Sequence, residues 1–92
     1  MIMSCRHKGL KLLFADRDRS KIRADVVDKA ERILSLLNVL EKPEDIDLPG
    51  FGLHALRGDL KGFWSVKLSR NHRIIFRIDG KHVHDVDLVD YH

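Results

Sequence analysis

The run Gly62-Phe63-Trp64-Ser65-Val66-Lys67-Leu68-Ser69-Arg70-Asn71-His72-Arg73-Ile74-Ile75-Phe76-Arg77-Ile78-Asp79-Gly80 decides the fold class. Its hydrophobicity alternates with a period of two, the spacing of side chains on one face of a β-strand. Trp64, Val66 and Leu68 alternate with Phe63, Ser65, Lys67 and Ser69. After the polar turn Arg70-Asn71-His72, Ile74, Phe76 and Ile78 alternate with Arg73, Ile75 and Arg77. Asp79-Gly80 is a hairpin signal, because both residue types tolerate positive φ. A last strand, about 81–89, follows, and Leu53–Leu56 before the run reads as a short strand. The sequence therefore predicts an antiparallel meander.

The register follows from the need for one continuous apolar face. With Trp64, Val66, Leu68, Ile74, Phe76 and Ile78 on that face, Val86 and Leu88 join it if the Asp79-Gly80 turn takes a third residue. Asp85 and Asp87 then face outward, across from Ile75 and Arg73. A two-residue turn buries Asp85 instead, so the longer turn is expected.

N-terminal to the meander the period changes to that of a helix. Leu10, Leu13 and Phe14 make a short amphipathic helix over 8–15. Val26, Val27, Ala30, Ile33, Leu34, Leu37 and Leu40 form a broad apolar stripe over 25–40. Asp25 is the expected N-cap of that helix, and Asp28 suits its positive end. Pro43 ends it, and 43–52 reads as a crossing loop. Met1–Cys5 reads as a short strand. The expected fold is α+β: two N-terminal helices packed on a curved antiparallel β-sheet, in one domain over 1–92.

Composition narrows the functions. Seventeen Lys and Arg against fourteen Asp and Glu give a net charge of +3, which suits a polyanionic partner. A single cysteine, Cys5, excludes an internal disulfide and any zinc cage that needs two cysteines. It is expected to act as a small buried hydrophobe. Met1-Ile2-Met3 is too short for a signal peptide, and no apolar run approaches the ~20 residues of a membrane span. A cytoplasmic protein without membrane contact is the expectation.

A meander of four strands puts the start of the first beside the end of the second, and the start of the third beside the end of the fourth. His54, the Arg70–Arg73 turn and the ending Asp90-Tyr91-His92 are thereby expected to gather at one end of the sheet. Imidazoles, a phenol, a carboxylate and two guanidiniums can exchange protons and hold a phosphate. Metal-free RNA cleavage needs little else: a base takes the proton of a ribose 2′-hydroxyl, its oxygen attacks the adjacent phosphorus, and an acid protonates the departing 5′-oxygen. His82 and His84 share a face of the last strand, but two imidazoles make a poor metal site, so no metal or other cofactor is expected.

Several stretches resemble one family. Leu53-His54-Ala55-Leu56-Arg57-Gly58-Asp59, Gly62-Phe63-Trp64-Ser65, Asn71-His72-Arg73-Ile74-Ile75-Phe76, the ending Val89-Asp90-Tyr91-His92 and the opening His7-Lys8-Gly9-Leu10-Lys11-Leu12-Leu13-Phe14 are similar to HigB-type (killer protein) toxins of the RelE/ParE superfamily. The resemblance implies a ribosome-dependent endoribonuclease that cuts messenger RNA. It implies as partners a helix-turn-helix antitoxin of the HigA type, the ribosome and its message, with the toxin as a monomer inside a toxin–antitoxin hetero-oligomer. By position it assigns His54, Arg73, Asp90, Tyr91 and His92 to catalysis. Arg57 stands where relatives carry lysine, and His72 where they carry an aromatic residue. Arg57, Lys61, Arg70, Arg17 and Arg19 are the expected RNA contacts. Two other readings stay open at this stage: a gyrase inhibitor of the ParE kind, and a non-catalytic RNA-binding module. Arg73 also has a structural alternative, an ion pair across the strands with Asp87, and Asp90 has one with Arg70 or Arg73.

Overall fold

The computed structural model describes residues 1–90; Tyr91 and His92 lie outside the described residues. Helix α1 spans Lys8–Asp16 and α2 spans Val27–Val39. His7 caps α1, its Nδ1 accepting the Leu10 N–H at 3.2 Å. The N-cap of α2 is Val26 and not the expected Asp25, whose carboxylate is taken by the Arg23 guanidinium. Asp28 does stand in the first turn of α2. The stripe on α2 is the buried one: Val27, Ala30, Ile33, Leu34 and Leu37 all face inward. Burying each of the four larger side chains stabilises the fold by about 1.5–3 kcal/mol relative to exposure.

Strands β1 (His54–Ala55), β2 (Phe63–Lys67), β3 (His72–Asp79) and β4 (His82–Asp90) form one antiparallel sheet in chain order. Val66, Leu68, Ile74, Phe76, Val83 and Val86 pack against Leu10, Leu13 and the α2 stripe, with Trp64, Ile78 and Leu88 at the margin of that core. A single 3-10 turn, Pro43–Ile46, interrupts the crossing loop, and it drives Ile46 into the core. The N-terminal segment forms no full strand. It makes two isolated parallel bridges, Ile2 to Val83 and Cys5 to Val86, which cover the outer edge of β4. Cys5 is half-buried, and burial pushes its thiol pKa up, away from reactive thiolate character.

The β3–β4 hairpin differs from the expected register. Asp79 pairs with His82, so the turn holds two residues, Gly80 and Lys81, with Gly80 at φ 63°. The apolar parity is restored farther along by a β-bulge: Arg77 pairs with His84, but Ile75 pairs with Asp87 and Ile74 with Leu88. An extra residue in one strand flips every later side chain to the other face. That is how Val86 and Leu88 reach the core after a short turn. Asp85 sits at the bulge with φ 56°, a conformation that aspartate tolerates better than most residues. Its carboxylate accepts from Arg77 Nε at 2.8 Å and lies 3.5 Å from Arg6 Nε, and its N–H donates to Ser4 Oγ at 2.9 Å.

The hydrogen bond from Arg77, with the charge of Arg6 adding to it, lowers the Asp85 pKa. A carboxyl held lower in the folded state stabilises the fold above its unfolded pKa, near 3.9, and loses that contribution as pH falls through the folded value. Asp85→Asn keeps the backbone preference and removes the charge. The variant should therefore be slightly less stable than the parent in urea denaturation at pH 7, with the gap closing toward pH 2–3; a gap that does not change with pH would show that the ion pairs contribute nothing.

Candidate active site

Strand alternation sends the second set of side chains to the face away from the helices. His54 opposes Ser65, Ser65 opposes Ile75, and Ile75 opposes Asp87; one step along, Lys67 opposes Arg73, which opposes Val89. This face is not open. The segment 52–60, which includes the edge strand β1, joins the sheet in lining a groove of about 550 Å3, bordered by Leu53, His54, Leu56, Leu60, Ser65, Lys67, Arg73, Ile75, Val89 and Asp90. Ser65 and Ile75 make the floor and are buried, although both belong to the face away from the helices.

The groove has two ends of different chemistry. Leu53, Leu56, Leu60, Ile75 and Val89 provide aliphatic walls, while Lys67 and Arg73 provide cations. Gly52, at φ 56°, passes beside the guanidinium; a Cβ there would lie 3.6 Å from Arg73 Nη1. The Lys67 N–H donates to Phe51 O at 2.6 Å, tying this loop to the end of β2. Phe51 is buried beneath two further cations, with Lys29 Nζ and Arg32 Cζ each 5.3 Å from its ring centroid. Lys29 also donates to Gly50 O at 3.1 Å. Burial lowers the Lys29 pKa, and the positive charges of Lys67, Arg32 and Arg73 lower it further. Lys29 thus feels the charge of three further cations, a setting that favours a bound polyanion.

Three of the expected catalytic residues, His54, Arg73 and Asp90, thus border one groove, although they come from β1, β3 and β4. Tyr91 and His92 lie outside the described residues. Asp90 stands at the rim, and its carboxylate meets His72 Nε2 at 2.8 Å. Across β3–β4, Asp87 lies opposite Ile75, while the residue opposite Arg73 is Val89.

The expected RNA contacts are scattered. Arg57 and Lys61 cap the 3-10 turn Gly58–Leu60; neither lines the groove, but they flank Leu56 and Leu60, which do. Both lie in the β1–β2 connection, at the end of the meander away from the β2–β3 turn. Arg70 lies in the exposed β2–β3 turn and does not line the groove. Arg17, in the left-handed conformation that ends α1, lines a separate depression between the helices with Leu13 and Phe14. Arg19 bonds Glu31 and Asp28 on α2. Sequence reasoning missed Lys67, whose signal was its outward parity opposite Arg73. Lys29 and Arg32, on α2, lie over Phe51 and do not line the groove. Among the described residues no helix is long and apolar enough to cross a membrane.

Comparison with known proteins agrees with this geometry. The chain is 34% identical to the endoribonuclease HigB of Proteus vulgaris over the full length of both proteins. Its fold matches that of a YafQ mutant from E. coli with a TM-score of 0.63 at 18% identity, covering 98% of this chain and 91% of that one. It also matches a chain of the heterotetrameric YoeB–YefM toxin–antitoxin complex from Staphylococcus aureus, with a TM-score of 0.62 at 16% identity over 100% of this chain and 95% of that one. The family model for the RelE-like toxin of the type II toxin–antitoxin system HigB matches residues 3–92. With a relative of that identity and two such folds beside it, the chain belongs to the HigB-like family of RelE-like toxins.

Proposed function

We propose that this chain is an endoribonuclease that cleaves messenger RNA on the ribosome and is silenced by a helix-turn-helix antitoxin of the HigA type. The observation that carries the reading is the groove itself, in which an imidazole and two cations border an aliphatic trough, with Asp90 at its rim. A nucleobase fits the apolar walls of Leu53, Leu56, Leu60 and Val89 while its phosphate meets Arg73 and Lys67. The endoribonuclease activity named for the Proteus vulgaris relative supports it, as does the toxin–antitoxin assembly of the Staphylococcus aureus neighbour.

In this scheme the 2′-hydroxyl loses its proton and its oxygen attacks the adjacent phosphorus. Negative charge then builds on the non-bridging oxygens. The Arg73 guanidinium, with its paired N–H donors, stabilises that charge, and Lys67 adds a second positive charge. The 5′-oxygen departs with a proton, leaving a 2′,3′-cyclic phosphate and a 5′-hydroxyl. His54 at the groove and His92 are the groups we assign to the two proton transfers, with Tyr91 assisting them and Asp90 holding the strand end. The ribosome positions the message, which turns a reaction between two partners into one within an assembled complex.

The test mixes the purified protein with message-programmed ribosomes and maps the ends of the products. Cuts bearing 5′-hydroxyl ends are expected. Bound but intact message would support a non-catalytic RNA-binding module. Inhibition of DNA supercoiling by gyrase, with the message intact, would support the ParE-like reading.

Lys67 gives a second, quantitative check. Neutralising one phosphate contact to a single strand changes the slope of log affinity against log salt by about 0.7. Lys67→Ala should weaken binding of an uncleavable 2′-deoxy RNA and flatten the salt slope by about that amount. An unchanged slope would place Lys67 off the path of the phosphates.

A further inference from the structure

We propose that His72 is a positioning residue of the groove, clamping the end of β4 beside Arg73 through the chain Ser69–His72–Asp90. The inference rests on the ribonuclease reading of the groove and names a residue that this reading does not use. His72 opens β3, directly opposite Asp90 in the ladder, and Arg73 and Val89 form the next pair. His72 Nε2 lies 2.8 Å from Asp90 Oδ1, and its Nδ1 lies 3.0 Å from Ser69 Oγ.

The directions of these bonds follow from the chemistry of the groups. An ionised carboxylate only accepts, so Nε2 carries the proton toward Asp90; in the neutral ring Nδ1 is then the acceptor, and the Ser69 hydroxyl donates to it. Ser69 is itself fixed, because the N–H groups of Leu68 and Ser69 both donate to His72 O, at 3.0 and 3.2 Å. The imidazole is thereby gripped from both sides, with its side chain 28% exposed, whereas the Asp90 side chain is 67% exposed. His7, Lys21 and Arg23 line the same shallow hollow.

The consequence concerns the last ladder pairs. Chain ends fray unless something ties them down. Here the tie is a hydrogen bond to a charged acceptor, stronger than one between neutral groups. It sits on the helix-facing side of the sheet, so it holds Val89 and Asp90 against the Arg73 side of the groove without occupying the groove.

The experiment compares His72→Phe, which keeps an aromatic ring and loses the donor, with His72→Gln, whose amide N–H reaches a similar position, and with Ser69→Ala. Each is assayed for kcat and KM on programmed ribosomes and for its melting midpoint. His72→Phe is expected to lower kcat about tenfold, the size of one hydrogen bond to a charged group, with KM and midpoint close to the parent. His72→Gln should recover most of the loss, and Ser69→Ala should fall between. In an Asp90→Asn background, His72→Phe should change little more. Full activity in His72→Phe, or an equal loss with and without the Asp90 carboxylate, overturns the proposal.

The imidazole 15N signals supply a reading that does not depend on cleavage. The Nε2-protonated tautomer is expected in the parent, with a changed tautomer balance in Asp90→Asn; a parent dominated by the Nδ1-protonated form also overturns the clamp. Absence of RNA cleavage by the parent, with this tautomer present, would instead remove the ribonuclease reading and leave the clamp as a structural device.

Discussion

Arg73→Ala is expected to lower the rate of message cleavage by about 10²–10³-fold, the usual cost of removing one donor aimed at charge that develops in a transition state. The guanidinium borders the groove from the middle of the sheet, one step from the β2–β3 turn, with Lys67 opposite it on β2 and Val89 opposite it on β4. It lies on the face away from the helical core, so its loss should leave the melting midpoint nearly unchanged. Arg73→Lys keeps the charge and loses the planar fork, so it should recover part of the rate and not all of it. Single-turnover cleavage on programmed ribosomes, with thermal melting measured on the same samples, checks both statements. A normal rate together with a lowered midpoint would mean that Arg73 serves the fold.

Removing Tyr91 and His92, or changing His92 to alanine, should abolish toxicity in growing cells and lower cleavage by about 10²–10⁴-fold, the range of a positioned acid or base. The truncation leaves the described strand β4, His82–Asp90, and its ladder pair His72–Asp90 in place. The truncated protein should melt within a few degrees of the parent. Cells that still arrest on expressing it would remove the chain end from the site and leave His54 as the remaining imidazole that borders the groove.

Lys29, Arg32, Lys67 and Arg73 also bear on how the proposed RNA substrate would be attracted. Burial first, and then the charges of Lys67, Arg32 and Arg73, lower the Lys29 pKa, so bound phosphates would favour its charged form. Binding through such a cluster should weaken steeply with added salt, whereas the aliphatic walls of the groove should hold a base with little dependence on salt.

By itself the sequence determined the α+β class, the helices and the face on which Ile74 and Phe76 meet the α2 stripe. Apolar spacing is a local property, and burial of one face leaves little choice. The same spacing told which strands are neighbours, and so that His54, Arg73 and Asp90 come together. It misplaced the N-cap of α2, because a charged partner at Arg23 competes for Asp25. It also put the extra residue of the β3–β4 hairpin in the turn, when a bulge at Asp85 restores the parity equally well and adds ion pairs with Arg77 and Arg6. Only the tertiary structure decided that the segment 52–60 joins the sheet in lining a groove, that Lys29 and Arg32 lie over Phe51, and that His72 takes hold of Asp90. These depend on where distant segments cross, and a period of two or of 3.6 residues carries no record of such crossings.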